Sequence, residues 1–236
     1  MKNPSNNPII CAIDTTDIQT ATKLVAEVRP FVGAIKLGLE FFTANGASGI
    51  AQVIDNSVPL FLDLKFHDIP NTVAKAIRAT ANINAFMMTV HCAGGKTMMS
   101  EAVKLAKDLP HKPLIVGVTI LTSLDSADLQ DIGMANKLSE QVKKLAGLAQ
   151  ESGLDGVVCS ALEIEMLRKQ CGENFKLIVP GIRPTGSAVG DQKRTLTPLE
   201  AMNNGADYLV IGRPITEAKN PHQMAQNILT SLDITT

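Results

Sequence analysis

The sequence predicts an α/β fold, a (β/α)8 barrel built as a single domain over residues 1–236. Three observations point there. Eight short apolar runs alternate with helical stretches at a spacing near ~30 residues, the size of a βαβ unit. The runs lack polar alternation, as strands of a sheet buried on both faces do. No break in composition and no low-complexity stretch marks a domain boundary. A chain of 236 residues with 45% apolar content holds enough material for one sizeable core. Eight such units in one domain favour a closed barrel over an open sheet.

The first run is Ile9–Ile13, closed by Asp14, and Thr15-Thr16-Asp17 offers helix N-caps before Ile18–Val28. The second, Val32–Ile35, ends in Lys36 and Gly38, and a helical stretch holding Gly46 and Gly49 reaches Asp55. The third is Val58–Leu62, followed by Asp63-Leu64-Lys65-Phe66-His67-Asp68; Pro70 suits the first turn of a helix running to about Asn82. The fourth, Ala85–Val90, ends in His91, and after Gly94-Gly95 a helix is expected from Thr97 to Lys107. The fifth, Leu114–Thr119, leads to Leu121-Thr122-Ser123, then a polar segment from Asp125 to Gly133 and a long helix through Ala149. The sixth is Gly156–Cys159, with its helix over Leu162–Lys169. The seventh, Phe175–Val179, ends in Pro180-Gly181-Ile182-Arg183-Pro184, and the eighth, Tyr208–Ile211, ends in Gly212-Arg213-Pro214. A final helix covers Gln223–Leu232.

Composition excludes several function classes. The net charge is -1, there is no basic run, no Trp and one Tyr, so a nucleic-acid surface of clustered cations and stacking aromatics is not expected. Cys11, Cys92, Cys159 and Cys171 are widely spaced, with neither a C-x-x-C nor a Cys/His ligand pattern; they read as free thiols in a reducing compartment, with no metal site. The polar Met1–Pro8 stretch has no apolar signal core, and no segment approaches ~18 continuous apolar residues, so no membrane partner and a cytoplasmic location are expected.

In a strand, alternate side chains share a face, so Asp63 and Lys65 point the same way, with Asp68 just past the strand end. Taken alone, this reads first as a structural ion pair followed by a turn or a helix-capping Asp. The barrel changes its meaning. Asp14, Lys36, Asp63, Lys65, His91, Thr122, Arg183 and Arg213 all sit at strand ends, and in this fold those positions converge on the active-site rim. The loops after the seventh and eighth runs, from Pro180 to Gly186 and from Ile211 to Pro214, lie where such barrels hold phosphate. Gly212 lets backbone N–H groups approach an anion and Arg213 supplies a forked charge; the alternative is a Gly/Pro turn with a solvated Arg. The polar loop from Ile182 to Arg194 is expected to be a mobile lid over the phosphate.

With these residues in view, the chain resembles the bacterial-type orotidine 5′-phosphate decarboxylase family. The matching motifs are Ala12-Ile13-Asp14, Ile35-Lys36-Leu37-Gly38, the stretch from Asp63 to Thr72, Val118 to Ser123, Val179 to Arg183, and Ile211 to Pro214. They run in order from the first strand to the eighth, and Asp63–Thr72 is the most specific of them. The resemblance implies loss of CO2 from orotidine 5′-monophosphate to give UMP, in de novo pyrimidine biosynthesis, without metal or organic cofactor. It also implies a homodimer with shared active sites, in which Asp68, Ile69 and Thr72 serve the neighbouring subunit's site.

In that reading the charge left on pyrimidine carbon 6 has no conjugated sink, and Lys65 is both the fixed ammonium beside it and the proton donor. Lys36, Asp63, Lys65 and Asp68 form an alternating array that orients it. Arg213, Gly212 and Gln192 are expected on the phosphate, with Arg183 near the same loop and Pro180 lining the substrate. Asp14 and Lys36 are expected on the ribose hydroxyls and Thr122 on the pyrimidine, although Thr122 reads equally as a strand-end turn cap. His91 reads as a packed histidine, His67 as its counterpart beside the site, and His111 and His222 as surface residues. Two rivals remain. Related barrels acting on 3-keto-gulonate or hexulose phosphates with Mg2+ share an Asp-x-Lys-x-x-Asp segment but carry a carboxylate metal ligand where this chain has Lys36. A non-catalytic phosphate-binding barrel would not need a lysine between two carboxylates.

Overall fold

The structure is a computed structural model and describes residues 7–55, 58–184 and 196–233. In chain order the elements are β1 (Ile9–Ile13), α1 (Ile18–Val28), β2 (Ala34–Gly38), α2 (Leu39–Val53), β3 (Leu60–Phe66), α3 (Pro70–Ala79), β4 (Met87–His91), α4 (Gly95–Asp108), β5 (Leu114–Val118), α5 (Ser126–Asp131), α6 (Leu138–Glu151), β6 (Gly156–Val158), α7 (Ile164–Cys171), β7 (Lys176–Pro180), α8 (Pro198–Asn203), β8 (Tyr208–Ile211), α9 (Arg213–Thr216) and α10 (Pro221–Thr230). Among the described residues, β1 to β8 pair in sequence order, all parallel, and β8 closes on β1 through Ile9↔Leu209 to Cys11↔Ile211. The expected (β/α)8 barrel is therefore the fold.

Two apolar layers hold it together. Side chains from one face of the strands, including Ile10, Ala12, Phe61, Met87, Val116, Ile178 and Val210, fill the barrel interior. The other face, with Ile9, Cys11, Leu62, Met88 and Leu177, packs outward against the helices. This is why the runs show no polar alternation: both faces are dry. The cysteines are all buried free thiols, and burial pushes Cys11 and Cys92 up to about 12, so they act as small apolar core residues. No helix among the described residues is long and apolar enough to cross a membrane.

Several boundaries differ from the sequence reading, each for a local reason. β3 runs on to Phe66, because Asp63 and Lys65 stay within the sheet rather than ending it. The polar segment after β5 holds a helix, α5, started by an Asp125/Asp128 capping box that the charge count alone had masked. α8, begun by a Thr197/Glu200 capping box, and α9 are single short turns with too little apolar periodicity to register. His111 is half-buried rather than on the surface, whereas His222 is exposed with its ring edge on Phe31.

The N-terminal end of the barrel is tied by one cation. Arg168 of α7 donates from Nη1 to Gly172 O (2.7 Å) and Phe175 O (2.8 Å), and from Nη2 to Gly205 O (2.6 Å) and Asp207 Oδ2 (2.6 Å). Asp207 Oδ1 also accepts from Lys176 Nζ at 2.8 Å, and its Oδ2 accepts from Leu177 N at 2.9 Å. One guanidinium thus holds the loops that enter β7 and β8. Arg168→Ala is expected to lower unfolding free energy by about 2–3 kcal/mol, because it takes one of two cations from a part-buried carboxylate and leaves the Gly172, Phe175 and Gly205 carbonyls without that donor. Urea denaturation measures it, and a loss under about 1 kcal/mol would mean that the cluster is solvated and dispensable.

Candidate active site

The opposite, C-terminal end of the barrel opens into a cavity of about 550 Å3. That is within the range of small-molecule sites. Its floor is apolar, built by Phe61, Val118, Val158 and Val210. Charge stands on two sides of it. Asp14, Lys36, Asp63 and Lys65 line the wall above β1 to β3, and Arg183 and Arg213 line the wall above β7 and β8. Thr122, Pro180 and Gly212 complete the set of expected residues found around it.

Asp63 is the hub of the first wall. It is 8% exposed, and its Oδ2 sits 2.8 Å from Lys65 Nζ and 3.7 Å from Lys36 Nζ. Lys36 also reaches Asp14 Oδ1 at 3.2 Å, so the four groups form a chain of alternating sign. Burial alone would raise the Asp63 carboxyl, but the Lys36 and Lys65 ammoniums and the hydrogen bonds from Lys65 and Thr89 outweigh it and hold it below the ordinary carboxylate value. By linkage, Asp63 stabilises the fold at pH above that ordinary value, and the contribution is lost as pH falls through the depressed one. Gly38 leaves room for the array: a Cβ there would stand 3.1 Å from Lys36 Nζ.

The backbone that delivers Asp63 and Lys65 is irregular. β3 pairs with β4 at Leu62↔Met88 and again at Phe66↔Val90, with a register shift between. Lys65 takes a left-handed φ of 49°, a conformation that a residue with a Cβ adopts at a cost of about 1–2 kcal/mol. The two side chains meet as the alternation argument expects, yet they do so across a bulge rather than along a regular strand. Thr89 of β4, which the sequence reading passed over as part of an apolar run, is fully buried beside them. It accepts from Lys65 N at 2.8 Å and donates to Asp63 Oδ1 at 2.9 Å.

Other expected residues fall elsewhere. Asp68, Ile69 and Thr72 are exposed and do not line this cavity; Asp68 Oδ1 accepts from Ile69 N at 2.7 Å, and Ile69 is 67% exposed. Gln192 lies outside the described residues, as does most of the proposed lid. His91 is half-buried and stacks on His67 with centroids 5.2 Å apart; burial first, then the charges of His67 and Lys65, push it below the ordinary histidine range. At the second wall, Gly181 has a φ of 78°, which turns the chain out of β7 so that Arg183 N can donate to Leu196 O at 3.0 Å. Among the described residues no three His, Cys, Asp or Glu side chains gather into a metal-holding group.

Comparison with known proteins places this geometry among relatives. The profile of the orotidine 5′-phosphate decarboxylase / HUMPS family matches residues 7–228. Orotidine 5′-phosphate decarboxylase of Wolbachia sp. subsp. Brugia malayi is 51% identical over 226 residues, covering 96% of this chain and 99% of the relative. The protein of the same name from Paramagnetospirillum magneticum is 49% identical over 233 residues, covering 97% and 99%. Among solved structures, the crystal structure of orotidine 5′-phosphate decarboxylase from Lactobacillus acidophilus superposes with a TM-score of 0.86 at 33% identity, covering 97% of this chain and 100% of that one.

Proposed function

The chain belongs to the orotidine 5′-phosphate decarboxylase / HUMPS family and is one of its decarboxylases, acting in pyrimidine biosynthesis, and we propose that it converts orotidine 5′-monophosphate to UMP with Lys65 as proton donor. The observation that carries the residue assignment is the Lys65 ammonium, 2.8 Å from a buried carboxylate and facing an apolar-floored cavity. In the reaction the bond from pyrimidine carbon 6 to its carboxylate breaks and CO2 leaves. The electron pair stays on carbon 6 in an sp2 orbital. Lys65 stabilises that charge through a water-poor medium and then gives carbon 6 a proton, which solvent restores. An arginine would hold the charge but not release the proton.

Asp63 orients Lys65 and stands near the substrate carboxylate. Ground-state repulsion there is secondary to the stabilisation of charge in the transition state. Lys36 and Asp14 take the ribose hydroxyls, Thr122 the pyrimidine, and Pro180 the wall beside it. Arg213, Gly212 and Gln192 take the phosphate, with Arg183 beside them. The phosphate is remote from the chemistry, and its binding supplies energy for orienting the ring. No metal or organic cofactor takes part in this scheme. An ammonium between Asp14 and Asp63 occupies the place where a cation would need a carboxylate ligand, which supports decarboxylation over the Mg2+-dependent sugar-phosphate chemistry of the rival barrels.

The enzyme works in this proposal as a cytoplasmic homodimer of single-domain barrels. Asp68, Ile69 and Thr72 reach the partner's site; their exposure, and their absence from the cavity of their own chain, support that assignment.

Orotidine 5′-monophosphate consumption, followed by pyrimidine absorbance in the presence of EDTA, is expected to proceed at the untreated rate; activity that EDTA removes and Mg2+ restores would favour the sugar-phosphate reading. Chains carrying Lys65→Ala and Asp68→Ala, each inactive alone, are expected to regain about one quarter of wild-type activity when subunits exchange at random, since half the dimers then hold one intact site. No recovery after verified exchange would mean that the sites are not shared.

A further inference from the structure

β3 spends four residue steps between Leu62 and Phe66 where β4 spends two between Met88 and Val90. Asp63, Leu64 and Lys65 therefore face a single residue, Thr89. In a regular parallel pair the Lys65 N–H would look for a carbonyl across the ladder. Here it lands on the Thr89 hydroxyl at 2.8 Å. A hydroxyl has one proton to give, and this one goes to Asp63 Oδ1 at 2.9 Å. Asp63 Oδ2 meanwhile takes the Lys65 ammonium at 2.8 Å. The result is a closed ring: Lys65 backbone to Thr89, Thr89 to Asp63, Asp63 to the Lys65 side chain. Thr89 is 0% exposed, so water does not stand in for it.

We propose that Thr89 is a positioning residue for the decarboxylation, its single hydroxyl fixing the Asp63–Lys65 pair across the bulge so that the ammonium points into the cavity. This rests on the reading of Lys65 as proton donor. A left-handed, non-glycine residue holds its conformation only where its surroundings over-determine it, and the Thr89 hydroxyl is the partner that the backbone N–H has found. A valine would keep the volume and the strand preference but leave a buried N–H and a buried carboxylate oxygen unpaired. A serine would keep both hydrogen bonds. Asp63 is also faced by Lys36 from β2 and Lys65 from β3, with Asp14 beyond Lys36 and His91 of β4 near Lys65. Removing the Thr89 donor from this set moves the Asp63 carboxyl upward, toward its ordinary value.

The test compares wild type, Thr89→Val and Thr89→Ser with orotidine 5′-monophosphate as substrate. Thr89→Val is expected to lower kcat by roughly 10- to 100-fold, as a misplaced catalytic group does, with KM and UMP affinity within about threefold of wild type. The acid limb of its kcat profile is expected to move to higher pH. Thr89→Ser is expected to return kcat to within about threefold of wild type. A wild-type kcat in Thr89→Val, or equal losses in Val and Ser, overturns the proposal. Should the valine variant not fold, the Ser and Ala variants make the same hydroxyl comparison. Wild-type protein that leaves the substrate untouched overturns the functional reading instead. A 13C NMR titration of the Asp63 carboxyl then decides about Thr89: a rise in Val but not in Ser supports the ring, and no change in either overturns it.

Discussion

One buried carboxylate sets the terms for this site. Removing Asp63 from water is costly, by several kcal/mol for an unpaired ion. The chain offsets that cost locally: two ammoniums approach Oδ2, and a hydroxyl donates to Oδ1. With Asp14, the cluster holds two carboxylates and two ammoniums, so it is formally neutral. The lysine that the proposed chemistry needs is thus already held in place by interactions that the fold requires for its own sake. The bulge in β3 and the left-handed backbone at Lys65 lie at this same pair.

The barrel divides its labour between its two ends. At the N-terminal end Arg168, Lys176 and Asp207 satisfy one another and the loop carbonyls around them, which suits a structural role. At the C-terminal end the charges face a cavity. Burial above an apolar floor strengthens the pairing of Asp63 with Lys36, since both side chains are largely shielded from solvent. Cation pairs on two separate walls fit an elongated anionic substrate with its reacting group at one end and its phosphate at the other. In the proposed reading, that separation lets phosphate binding orient a ring whose chemistry takes place across the cavity.

Much of this was legible in the sequence because parallel strands in a barrel announce themselves by apolar runs, and the residue after each run lands on the rim. Asp14, Lys36, Asp63, Lys65, Thr122, Arg183 and Arg213 were placed by that rule and line the cavity, whereas His91, placed by the same rule, does not. Thr89 escaped it. A threonine inside an apolar run is an ordinary strand residue, and its hydrogen bonds depend on the register between β3 and β4, a long-range property that no local window contains. Strand alternation gave the right face for Asp63 and Lys65 but not the bulge that joins them. The expectation that Asp68, Ile69 and Thr72 serve a partner's site rests on family resemblance, since nothing among the described residues brings them to the cavity of their own chain.

In the proposed mechanism the Lys65 ammonium does the chemistry while the rest of the cavity does the binding. Turnover and UMP affinity of Lys65→Ala, measured side by side, test it most directly. Loss of both the electrostatic and the proton-donor contributions is expected to reduce kcat by about 10⁴-fold or more, with UMP affinity within roughly tenfold of wild type. Turnover within about tenfold of wild type would contradict the claim.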